Sequence, residues 1–138
     1  MNIKASIAGL FVLIAFSLSS CFQEYDEGYE LVGRVATISV FTLNPTSAPA
    51  GANGTATVRY FSEHELVTAY RLIQSVGGQR TEVVNVPVQN HNVEDSYQET
   101  LNFTVPNVAA GTTVTYIMQV ETANGLVRER TANLTVTQ

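Results

Sequence analysis

The chain reads as an all-β protein: one antiparallel β-sandwich of about seven strands behind an export segment. Three observations predict this. Positions 21–138 hold 17 Val, 16 Thr and 3 Ile, and β-branched side chains favour the pleated sheet. Apolar residues recur at period two, and from Gly33 onward no window sustains a 3.6-residue period. Gly, Pro and Asn clusters interrupt the chain at the spacing of a small all-β domain. A length of 138 residues leaves room for one such domain and not two. A small barrel is the alternative packing. The expected divisions are 1–20, an export signal; 21–32, an acidic flexible tether; and 33–138, the sandwich.

The strands follow in order. Val35–Leu43 comes first. Its apolar face switches from Ile38 and Val40 to Phe41 and Leu43, which predicts a kink letting one strand serve both sheets. Pro45–Gly54 is a Pro/Gly/Ala loop. Thr55–Ser62 turns Ala56, Val58 and Tyr60 inward. Leu66–Val76 places Leu66, Tyr70 and Leu72 on one face and Val67 and Ile73 on the other, the pattern of a central strand. Gly77-Gly78 makes a tight hairpin into Thr81–Val88, whose Pro87 cannot donate to a ladder and marks an edge. Tyr97–Val105 alternates cleanly, with Leu101, Phe103 and Val105 inward. Thr113–Thr122 does the same with Val114, Tyr116, Met118 and Val120. Asn124-Gly125 predicts a type I′ turn with φ > 0 at both positions. Ala132, Leu134 and Val136 complete the last strand.

The segment before the domain carries its own signal. Lys4 provides a positive start, Ile7–Phe16 is an apolar run, and small residues surround Leu18. The run is shorter than the ~20 residues of a membrane-spanning helix. It ends in Leu18-Ser19-Ser20-Cys21, which resembles the lipobox of bacterial lipoproteins. The resemblance implies cleavage before Cys21, acylation of its thiol and amine by chains such as palmitate, and a partner in the membrane reached through them. The single Cys excludes an internal disulfide and a CxxC site. Glu24, Asp26 and Glu27 follow at once, with Glu30 behind them. This acidic stretch resembles the export tether of surface lipoproteins in the Bacteroidota. It implies an outer-membrane address on the cell surface, with a periplasm-facing anchor as the other orientation.

A second resemblance concerns the domain. Thr57-Val58-Arg59-Tyr60, followed by Val67-Thr68-Ala69-Tyr70-Arg71-Leu72, is similar to strands B and C of fibronectin type III domains. Tyr60 stands where those modules keep Trp. Thr113–Val136 is similar to the end of the same immunoglobulin-like superfamily. The implied fold is an immunoglobulin-like sandwich.

Chemistry is sparse. There is no GxSxG elbow, and no Ser, Cys or Thr is placed with a His and an acid in a recognisable order. Glu63, His64 and Glu65 on one loop, with His91 on another, could hold a divalent metal only if both loops met; no paired His spacing supports it, so no metal and no cofactor is expected. Glu94-Asp95 lacks the acid spacing of a calcium loop. A net charge of −5 and the lack of Lys after Lys4 exclude general nucleic-acid binding. Phe61 and Tyr97, if on one face, would form a platform for a sugar ring or a protein partner. Arg128 and Arg130 share the inward face of the last strand and must emerge at an edge. The expected function is non-enzymatic: a lipid-anchored module for adhesion, glycan capture or docking to an outer-membrane assembly. The alternative is a small enzyme, or an enzyme inhibitor, acting through loops at one end.

Overall fold

The computed structural model describes residues 33–138; the signal expected over 1–20 and the tether expected over 21–32 lie outside the described residues. The described part is all-β. Its strands are β1 (Thr37–Asn44), β2 (Ser47–Pro49), β3 (Asn53–Phe61), β4 (Val67–Val76), β5 (Gln79–Pro87), β6 (Ser96–Thr104), β7 (Thr113–Thr122) and β8 (Val127–Thr137). They form a three-stranded sheet in the order β1-β3-β6 and a five-stranded sheet in the order β2-β8-β7-β4-β5. Every pairing is antiparallel except β2 with β8, which is parallel.

Period-two alternation builds one core from the inner faces of both sheets. Ala56, Val58 and Tyr60 of β3 are buried, as are Leu101 and Phe103 of β6. Val114, Tyr116, Met118 and Val120 of β7 and Leu134 and Val136 of β8 meet them. A one-residue slip would carry each of these sets into solvent, so burial fixes the register. Phe103 stands opposite Gly54, and its ring covers the glycine: a Cβ there would come within 2.5 Å of the ring. On its other side Phe103 packs on Tyr116, ring centroids 4.3 Å apart.

Four details differ from the sequence reading. There are eight described strands, because Ser47-Ala48-Pro49 inside the expected loop pairs with Thr135–Thr137. β1 does not serve both sheets. A bulge between Ile38 and Val40 resets its parity, so Ile38, Phe41 and Leu43 all face inward within one sheet. The chain changes sheet only after Pro45, through β2. Leu66 lies in the turn and is 51% exposed, whereas a bulge between Val67 and Ala69 turns Val67 inward opposite Thr122. The Asn124-Gly125 turn has only Gly125 at positive φ, 81°. Asn124 instead uses its side chain: its Oδ1 accepts from Leu126 N and the Thr122 hydroxyl, and its Nδ2 donates to Arg34 O. Gly77-Gly78 does take positive φ at both positions, as a two-residue hairpin needs.

Candidate functional site

β5 and β6 are edge strands of different sheets, and they face each other across a seam. Where β5 ends and β6 begins, the seam opens into a cavity of about 210 Å³, lined chiefly by Tyr60, Tyr70, Pro87, Gln89, Tyr97 and Glu99. A second cavity, of about 370 Å³, lies along the same seam beside Gln74, Val83 and Phe103. It is lined mainly by polar and aliphatic groups and holds no stack of rings.

Strand pairing assembles the first cavity. Tyr60 and Tyr97 stand directly opposite each other, and their rings stack at 5.7 Å and 19°. Tyr70, from β4, tilts against Tyr60 at 5.8 Å and 43°. His91 comes from the connection between β5 and β6. It lies 5.0 Å from Tyr97 and 6.4 Å from Tyr60, extending the row of rings. Its neighbour Asn90 has φ of 63°, a left-handed conformation that Asn tolerates. The loop is tied down by Asn92, whose backbone N donates to the Tyr97 hydroxyl at 2.9 Å. The Asn92 side chain also donates to Asp95 and accepts from Glu94 N.

The electrostatics follow from burial and one carboxylate. Glu99 lies two residues after Tyr97, so it shares Tyr97's inward face, and it is half-buried. Among the described residues it makes no ion pair; Glu63, Glu82, Glu121 and Glu129 do. Burial raises the Tyr60 and Tyr70 pKa values, the Glu99 charge raises both further, and the hydrogen bond that the Tyr70 hydroxyl donates to the Glu99 carboxylate adds to the rise at Tyr70. Burial lowers the His91 pKa, with Asp95 acting weakly the other way. Both His91 ring nitrogens are buried without a hydrogen-bond partner, so the ring acts as a neutral aromatic plate. The Glu99 carboxylate gives the cavity a negative potential, and no Lys or Arg among the described residues lines it.

The residues singled out in the sequence are placed as follows. Tyr97 lines the cavity, but Phe61 follows Tyr60 along β3 and points to the opposite face, so the two make no common platform. His64 interacts with Arg34 and lies 3.9 Å from Glu63, while His91 packs on tyrosines; the two loops bring no ligands together. Among the described residues no three His, Cys, Asp or Glu side chains converge. Arg130 emerges at the β1/β8 edge and donates to Ile38 O at 2.8 Å and Ser39 O at 2.7 Å. Arg128 is exposed on the same strand. Cys21, Glu24, Asp26 and Glu27 lie outside the described residues. The sequence reading assigned Tyr60 and Tyr70 to the core, where both are buried, and overlooked Glu99. The signal for Glu99 was present: it is an acid in the inward register that continues through Leu101 and Phe103.

No protein-family model matches the chain, and no curated protein matches it. Solved structures do. The chain is similar to the sporulation control protein Spo0M from Bacillus subtilis, with 11% identity and a TM-score of 0.51 over 77% of this chain and 51% of that one. It therefore spans about half the length of that protein. It is also similar to a superoxide reductase (neelaredoxin) from Ignicoccus hospitalis, with 9% identity and a TM-score of 0.52 over 75% of this chain and 80% of that one. At such identities the likeness concerns the fold alone.

Proposed function

We propose that the chain is an outer-membrane lipoprotein that presents an immunoglobulin-like module as a non-enzymatic binding domain. The observation that carries the binding reading is the cleft at the β5/β6 seam, where half-buried Tyr97 and Glu99 border a cavity of about 210 Å³ with no Ser, Cys or Thr in its lining. The strand order supports the immunoglobulin-like assignment. β3, β4, β7 and β8 fall where the fibronectin-like resemblance implies strands B, C, F and G. The Leu18–Cys21 motif supports lipid anchoring, and the acids Glu24, Asp26 and Glu27 support display on the cell surface. Two or three acyl chains anchor stably, since each buried CH₂ contributes ~0.8 kcal/mol.

The test is palmitate labelling combined with protease shaving of intact cells. The expected result is label on the wild type and none on Cys21→Ser. Shaving should cleave the wild-type domain, and cleavage should fall when Glu24, Asp26 and Glu27 are changed to Ala. An unlabelled mature Cys21, or a domain cleaved only after the cells are broken, would contradict the anchoring or the surface display respectively.

A further inference from the structure

We infer that Asn124 is a modification site: deamidation of its side chain unlatches the segment that enters the domain at Gly33. The inference rests on neither the lipid anchoring nor the cleft. Three observations carry it.

The first is a latch made by one carboxamide. Asn124 lies in the turn between β7 and β8 and uses both ends of its side chain. Its Oδ1 accepts from the Thr122 hydroxyl at 2.6 Å and from Leu126 N at 3.2 Å, which closes the turn. Its Nδ2 donates to Arg34 O at 3.1 Å and so ties the entry segment, residues 33–36, to that turn. The Arg34 side chain reaches His64 on the exposed surface, so the turn holds Arg34 by its carbonyl alone. Gly33 leaves room for the latch, because a Cβ there would overlap Asn124 Nδ2. Gly33 has no positive φ, so this contact, and not backbone freedom, favours glycine.

The second is the residue that follows. Gly125 has no side chain to shield its backbone nitrogen from Asn124 Cγ. In deamidation that nitrogen gives its proton to solvent base and attacks Cγ. The Cγ–Nδ2 bond breaks, ammonia leaves with a proton returned to it, and a cyclic imide remains. Water opens the imide at either carbonyl, giving Asp or its β-linked isomer. In the closed turn Gly125 N donates to Thr122 O at 2.9 Å, so the turn must open before the nitrogen attacks. The local opening of the turn therefore sets the rate.

The third is what the product keeps and what it loses. An Asp carboxylate still accepts from Leu126 N and from the Thr122 hydroxyl, so the turn stays closed. It has no N–H for Arg34 O and meets that carbonyl as acceptor against acceptor. The β-linked isomer loses the same donor. The chain's other Asn-Gly pair is the contrast. Asn53 and Gly54 lie within β3, paired with Thr104 and Phe103, and Gly54 is buried under the Phe103 ring. That backbone opens only if the sheet unzips.

The experiment uses the full chain in detergent, incubated at mildly alkaline pH and mapped by peptide mass spectrometry. The expected products are Asp and its isomer at position 124, with Asn53 intact; the same incubation in urea should convert both. Limited trypsin digestion then reads the latch, since cleavage after Arg34 needs the entry segment free. Asn124→Asp should speed that cleavage about threefold or more, with a denaturation midpoint close to the wild type. Gly33→Ala should speed it too, by displacing the carboxamide while the turn sequence is untouched. If Asn124→Asp does not fold, the incubated wild type and Gly33→Ala carry the digestion test. Conversion at Asn53 ahead of Asn124 in the folded chain, no conversion at Asn124, or cleavage after Arg34 that the loss of the Asn124 amide leaves unchanged overturns the proposal.

Discussion

Sheet edges meet on two sides of this domain, and each side has a charged side chain in an inner-face register that meets a group on the facing sheet. On the β1/β8 side the charge is Arg130, opposite Met118 in the inner-face register of β8. On the β5/β6 side it is Glu99, opposite Val58 in the inner-face register of β6. Arg130 finds two backbone carbonyls of β1 and ties one sheet to the other. Glu99 finds tyrosine rings, the Tyr70 hydroxyl among them, and no cation among the described residues. The chain itself crosses from sheet to sheet near the first side, from β1 to β2, and β2 then covers part of the β8 edge. At the second side β5 ends at Pro87, which has no N–H to extend a ladder. Inward charges on edge strands protect against edge-to-edge pairing on both sides. The difference is that one charge spans the two sheets through backbone carbonyls and the other meets a tyrosine hydroxyl beside a cavity.

The largest expected effect comes from the core between the two sides. Phe103→Ala removes the ring that covers Gly54 and packs on Tyr116, and should cost about 3–5 kcal/mol. Chemical denaturation measures it, and an unchanged midpoint would mean that the two sides do not share a core. Alkaline pH comes next. Burial raises the pKa values of Tyr60, Tyr70 and Tyr116 above the ordinary 10.0, Tyr116 to about 12. A raised value means stability is complete below the unfolded pKa and is lost as pH climbs through the folded one. Stability should therefore fall above pH ~10, by up to about 1.4 kcal/mol per pH unit for each tyrosine involved. A denaturation midpoint that stays flat as pH rises from 10 would contradict this burial.

Smaller effects separate the sides. Arg130→Met keeps the aliphatic stem but loses both carbonyl contacts, and should cost about 1–2 kcal/mol. His91 gives a shallower signal on the open side. Its folded pKa is lowered, so the unfolded chain binds the extra proton first. Stability should be complete above the unfolded value of 6.5 and decline as pH falls below it, until the folded value is reached. His91→Phe should flatten that decline. An unaltered slope would assign it to another group.

Much of this fold was legible in the sequence, because alternation translates directly into burial. Leu101, Phe103, Tyr116 and Leu134 are all interior, as their period-two pattern requires. Bulges were not legible. The one at β1 shifted Phe41 and Leu43 into line with Ile38, and the one at β4 moved Val67 inward, because one inserted residue reverses parity with no compositional mark. A three-residue strand such as β2 is held by its partner rather than by its own sequence. Ile117 shows another limit. It lies on the outer face of the five-stranded sheet yet is 3% exposed, because the neighbouring strands place Ile73 and Thr131 beside it. The cleft was half legible. Tyr97 stood out, but its partner is Tyr60 across the ladder and not Phe61, a fact of register. Glu99 and Arg130 both carry the same mark, a charge in an apolar register. What each would meet depended on what lay across the seam.

The smallest expected effect tests that distinction most directly. Glu99→Gln keeps the shape of the side chain and removes its charge. Denaturant unfolding of the full chain should show a stability change within about 0.5 kcal/mol, or a slight gain, beside the clear loss for Arg130→Met. That pair of results would establish a charge the fold depends on at one side and a charge it does not depend on at the other. A loss in Glu99→Gln as large as that in Arg130→Met would contradict the account, since it would make the fold depend on the Glu99 charge as much as on that of Arg130.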